Sequence, residues 1–187
     1  MHSARFQSAI DRFDALNATD PNGKELLYAQ RMTQWLEKLN PAASEALRLA
    51  ARSQHLMRWH IPRDSFPKDR IGYLRWRTTL YDFHADRAAE VLREVGYDDA
   101  TIARVRWLIR KQDLKNDPEA QLLEDVICLV FLENYFADFA RDHDAEKLVR
   151  ILRKTWKKMS PRGHEAAMTL QLGDRERELI AKALQPP

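Results

Sequence analysis

The sequence predicts an all-α fold, read as a single compact multi-helix domain over residues 1–187. Three observations carry that prediction. Apolar residues recur at helical spacing through most of the chain. Five glycines and eight prolines in 187 residues are too few for a many-turned β fold. No stretch joins alternating apolar residues to a hairpin turn.

The elements follow in order. Residues 3–16 predict a first helix, with Phe6, Ile10, Phe13 and Leu16 on one stripe, and TDPNG reads as a turn. Residues 25–39 predict a second, with Leu27, Tyr28, Met32, Trp35, Leu36 and Leu39 facing inward. Asn40-Pro41 ends it, and a third spans 42–60. Pro62 must stop that helix, because it disfavours helical backbone at Ile61 and has no amide hydrogen. IPRDSFPKD is a loop, and a long fourth helix runs over 69–95 with Gly96 closing it. Asp98 or Asp99 caps the next, over 101–111. KNDP leads into a strong helix over 119–141, followed by 144–159, 161–170 and a short helix over 175–184.

Composition narrows the function classes. The longest apolar run, VICLVFL at 126–132, falls far short of the roughly 20 residues of a membrane span, so no membrane partner is expected. MHSARFQSAIDRFDAL lacks the apolar core of a signal peptide. Cys128 is the only cysteine, which rules out an internal disulfide and makes a cytoplasmic location the expectation. The net charge of +3 is mild for a nucleic-acid binder. Residues 58–77 nevertheless hold six basic and two acidic side chains, a net +4 that exceeds the chain's own. That segment predicts a local anion-binding surface, or else a solvated charged face.

Candidate chemistry centres on histidines and on two carboxylates. His2 sits in what reads as a frayed terminus. In ARSQHLMRWH (51–60), His55 follows Leu47 and Ala51 on one helical stripe. His60 lies about 140° round the same helix, so the two are not expected to share a metal. His84 lines up with Arg77, Tyr81, Ala88 and Val91. His55 and His84 read either as ligands or as hydrogen-bonded core residues. His143-Asp144 reads as helix capping rather than as a metal motif. Ser160 and Pro161 start a helix whose positive end, carrying Arg162, Gly163 and His164, offers a weak anion site. In LLEDVICLVFLENYF, Asp125 and Glu133 share stripes with apolar residues, so each is expected buried and therefore paired or ligating.

Three blocks, LAARSQHLMRWHIPRDSFPKDRIGYLRWR, LLEDVICLVFLENYF and ILRKTWKKMSPRGHEAAM, resemble an uncharacterised, mostly bacterial family catalogued as domain of unknown function 4202. A more distant likeness is to the HD superfamily of metal-dependent phosphohydrolases. LAARSQHLM is similar to that family's motif-histidine segment, FHADRAAEVLREVGY to its later histidine segment and LLEDVICLVFLE to its final aspartate helix. The likeness implies an HD-like fold and a divalent metal on His55, His84 and Asp125. The pattern departs at Leu56, where the family has aspartate. It departs again near Tyr28, at the first histidine position, and at Gln112 and Asp113, at the later paired-histidine position.

On that resemblance the expected function is metal-assisted hydrolysis of a phosphate ester or nucleotide. Arg52, Arg75 and Arg77 would clamp phosphate, with Arg162 as a further anion contact. Glu124 or Glu133 would act as general base or support the ligands. The alternative is a non-catalytic module binding a small anionic ligand or nucleotide in the same pocket without metal. A third and weaker reading is nucleic-acid contact through Trp59, Tyr73, Trp76 and the arginines beside them.

Overall fold

A computed structural model describes residues 3–185, so His2 lies outside the described residues. Among these there are ten α-helices, two short 3-10 helices and no strand, as the all-α prediction requires. By its contacts, the stretch read from sequence as one domain divides into two compact units, Met1–Leu114 and Lys115–Pro187. No helix among the described residues is long and apolar enough to cross a membrane.

Unit 1 holds α1 (Ala4–Asn17), α2 (Glu25–Leu39), α3 (Glu45–Ser53), α4 (Arg70–Glu94) and α5 (Asp99–Ile109). Ser3, Ser44, Asp69 and Asp98 cap α1, α3, α4 and α5 by accepting from backbone N–H groups of the first turn. Gly96, at φ 84°, takes the left-handed position after α4. The short helix α3 packs on α1, α2, α4 and α5 and forms the centre of the unit. Leu47, Leu49, Ala50 and Ala51 are wholly buried there, and the two alanines let the neighbouring helices approach closely. Arg52 ties three helices together: its guanidinium grips Asp14 of α1 at 2.7 and 2.5 Å and Thr33 of α2 at 3.1 Å.

Two details of unit 1 correct the sequence reading. Leu27, expected inward, is 45% exposed. The predicted helix over 42–60 stops at Ser53. Ser53 Oγ donates back to Leu49 O, Met57 takes a left-handed backbone (φ 54°), and Met57 N donates to Oδ1 of the buried Asn17. A 3-10 helix over Arg58–His60 and another over Arg63–Ser65 complete the connection to α4. His55 and His60 therefore lie off the α-helix, and a helical angle does not relate them.

Unit 2 holds α6 (Pro118–Asn134), α7 (Phe136–Arg141), α8 (Ala145–Trp156), α9 (Pro161–Met168) and α10 (Asp174–Leu184). Asp117, Asp144 and Ser160 cap α6, α8 and α9. The helix expected over 119–141 is broken at Tyr135, whose φ of −128° leaves helical space. The wholly buried Phe136 follows, and Phe131 lies edge-on to both Phe136 and Phe139.

Candidate functional site

The turn after α3 delivers His55 into a polar cluster of unit 1. Its ring stacks on Tyr28 of α2 at 3.9 Å and lies 5.8 Å from the ring of His84 on α4. Nδ1 of His55 stands 3.5 Å from Oε2 of Glu25, and Nε2 stands 3.4 Å from Nη1 of Arg58. A guanidinium only donates, so Nε2 accepts and the ring proton sits on Nδ1, facing Glu25. Burial is the main force keeping His55 uncharged, and the nearby Arg58 and Lys111 charges add to it, so its pKa lies well below the ordinary 6.5. At neutral pH the Glu25–His55 contact is thus a polar contact and not an ion pair.

Glu25 opens α2, which its preceding residue, Lys24, does not cap by side chain. Asp20 does that work from the turn: its carboxylate accepts from the backbone N–H of Asn22, Lys24 and Glu25. Burial opposes the Asp20 charge, but these donors outweigh it and its pKa is lowered. Glu25 responds the other way. Burial pushes its pKa up to about 7, against the pull of Arg58 and Lys24. His84, 1% exposed, donates from Nδ1 to Leu56 O at 2.8 Å, which leaves Nε2 as a bare acceptor with no partner. Burial lowers its pKa to about 4.

Beside this cluster an open cleft of about 180 Å³ is lined by Asp20, Asn22, Lys24, Glu25, Arg58, Trp59, Ile61, Pro62, Arg63 and Trp76. Trp76 is anchored by its Nε1 donating to Ile61 O at 2.9 Å, and the Arg58 guanidinium lies over its ring at 4.9 Å. Arg63 is held by donating to Phe66 O and Pro67 O. Arg58 closes no salt bridge within 4 Å among the described residues. Lys24, Arg58 and Arg63 thus face a cleft whose own carboxylates are turned to other work: Asp20 caps α2 and Glu25 meets His55.

The expected site residues are divided between the two units of the chain. His55 and His84 come together. Arg52 does not serve as an anion clamp, because Asp14 fills its fork. Arg77 meets the Tyr81 hydroxyl and lies over Tyr73 and Tyr81, and Arg75 is exposed on α4 outside the cleft lining. Gln112 and Asp113 are exposed after α5. In unit 2, Asp125 is 1% exposed and fully engaged. Its Oδ1 accepts from Ser160 N at 2.7 Å and Gln121 Nε2 at 3.1 Å, and its Oδ2 from Ser160 Oγ at 2.5 Å. Glu124 is buried with Lys158 Nζ at 3.5 Å, whereas Glu133, expected buried, is exposed. Arg162 is exposed at the start of α9, and His164 turns away to stack on Trp156. His143 points Nδ1 at Phe139 O, and Asp144 alone caps α8.

These environments do not fit the implied metal. The lone pairs of Asp125 already take three donors, and both ring nitrogens of His55 face Glu25 and Arg58. Among the described residues no three His, Cys, Asp or Glu side chains gather so as to hold a metal ion.

A family model described as a domain of unknown function, DUF4202, matches residues 7–180. The chain belongs to the DUF4202 family. No curated protein and no solved structure matches it, so no comparison carries the likeness to HD phosphohydrolases. The match spans every residue of the cleft in this DUF4202 chain. Sequence reasoning missed Glu25 and the special position of Arg58. Two signals pointed there: the basic segment begins at Arg58, and the HD likeness singles out Tyr28, three residues after Glu25.

Proposed function

We propose that this DUF4202 chain is a binding module for a small phosphorylated anion, held in the unit 1 cleft with Arg58 as its main anchor. The observation that carries the reading is an arginine facing an open cleft with no carboxylate in salt-bridge distance among the described residues, flanked by Lys24 and Arg63. A guanidinium matches phosphate oxygens with paired N–H donors. The volume limits the ligand. Pockets for drug-sized ligands run from about 300 to 1,000 Å³, so about 180 Å³ suits a phosphate group with few attached atoms and leaves the rest of a nucleotide outside. The metal-assisted hydrolase is the second reading, favoured only by the bare Nε2 of His84.

Thermal unfolding in pyrophosphate, in AMP and in chloride of matched ionic strength tests the proposal. Selective binding raises Tm with ligand concentration. A rise of a few degrees in pyrophosphate or AMP, lost in Arg58→Gln, is expected. Equal Tm in all three solutions would sink the reading. Stoichiometric metal in the purified protein, lost in both His55→Ala and Asp125→Ala, would shift the case to the hydrolase.

A further inference from the structure

The strongest charge concentration in the chain is in unit 2. Residues 145–162 hold seven basic side chains and one acidic, a net +6 against +3 for the whole protein. Two of the seven have structural work. Arg153 donates to Ala183 O at 3.1 Å and reaches Lys182 O and Gln185 O, securing the end of α10. Lys158 meets the buried Glu124. Lys147, Arg150, Lys154, Lys157 and Arg162 remain, all exposed, and none closes a salt bridge within 4 Å among the described residues.

Four of these form a stripe. At about 100° per residue, Lys147, Arg150, Lys154 and Lys157 fall within roughly 80° of one another, and at about 1.5 Å per residue they span about 15 Å. Asp144, at the head of the stripe, is turned to accept from Lys147 N. The opposite side of α8 is used: Leu148 and Leu152 are buried, and α10 packs on the helix. Each feature narrows the partner. A membrane-surface helix needs an apolar face to insert, and here that face is committed to the core. A protein interface needs an apolar or aromatic centre, and the stripe has none. A nucleic-acid backbone asks only for cations at close spacing.

We infer that the exposed face of α8, through Lys147, Arg150, Lys154 and Lys157, binds the phosphate backbone of nucleic acid without reading its sequence. The chain-wide charge hides this surface because the rest of unit 2 offsets it: residues 115–187 hold twelve basic and thirteen acidic side chains. The inference is independent of the cleft and of any ligand there.

Fluorescence anisotropy with a labelled 20-base-pair DNA duplex and a labelled 20-nucleotide RNA, from 50 to 200 mM NaCl, tests it. Four phosphate contacts give a log–log salt slope of about −3.5 on the duplex, roughly a 100-fold loss of affinity across that range. Reversing all four residues to glutamate is expected to abolish binding while circular dichroism stays unchanged. The milder pair Arg150→Gln and Lys154→Gln is expected to halve the slope, and it keeps the test decisive should the fourfold variant fail to fold. A duplex slope shallower than −1, or full binding in both variants, overturns the inference. Equal competition by polyglutamate or by anionic lipid vesicles, at matched charge, also overturns it and assigns the stripe to an acidic protein or a lipid surface.

Discussion

Two buried polar clusters of this protein are built from similar residues and end in opposite states. In unit 2, Asp125 receives three donors, two of them from Ser160, which in turn caps α9 by accepting from Gly163 N. Gly163 lies so close that a Cβ there would fall 2.7 Å from Asp125 Oδ1. That cluster is saturated and has no capacity left for a ligand. In unit 1, Glu25 holds a proton up to about pH 7, His84 keeps a bare Nε2, and Arg58 faces a cleft. Burying polar groups is costly in both places. One cluster recovers the cost within the chain, and the other leaves capacity beside an opening. The difference teaches that burial of a carboxylate does not mark a site; the count of partners does.

The largest expected effect breaks the saturated side. Asp125→Ala removes the acceptor from Ser160 N, Ser160 Oγ and Gln121 Nε2, leaving buried donors unpaired, and should cost about 3–5 kcal/mol in urea unfolding. A loss under about 1 kcal/mol would mean that water replaces the carboxylate and that the cluster is no strut.

The next sharpens the other side through pH. Below about pH 4.5 Glu25 carries its proton in both the folded and unfolded chain and contributes no penalty. As pH rises the unfolded chain ionises first, so this residue's cost grows and is complete above about 7. Glu25→Gln cannot ionise. It should therefore be more stable than the parent by about 1–3 kcal/mol at pH 8 and equal to it near pH 4. Urea midpoints at the two pH values check this, and a variant equally destabilised at both would refute the buried, uncharged carboxyl.

The smallest effect is the control for both. Glu133 was expected buried by its stripe but is exposed, so Glu133→Gln should change stability by less than about 0.5 kcal/mol. A larger loss would restore it to the buried set.

Much of the fold was legible in the sequence. Local chemistry marks the helix starts: Asp98, Asp144 and Ser160 each cap where expected, because a side-chain oxygen two or three residues ahead of free N–H groups needs no tertiary partner. The pairing of His55 with His84 was also expected, though for a metal. What was illegible turned on distant partners. Nothing near Met57 announces its left-handed turn, since the acceptor for its amide is Asn17, forty residues away. Arg52 looked like a phosphate clamp because Asp14, which fills it, lies on another helix.

The sequence by itself therefore determined the helical class, most helix boundaries, the lone Cys128 and the concentration of charge, since period, capping and composition are local properties. Only the tertiary structure decided which charges remain open. It closed Arg52 and Asp125, left Arg58 facing a cleft, and turned Lys147, Arg150, Lys154 and Lys157 to the surface. Whether a polar group is satisfied depends on what folding brings within about 3 Å of it, and that distance is not written in any one segment.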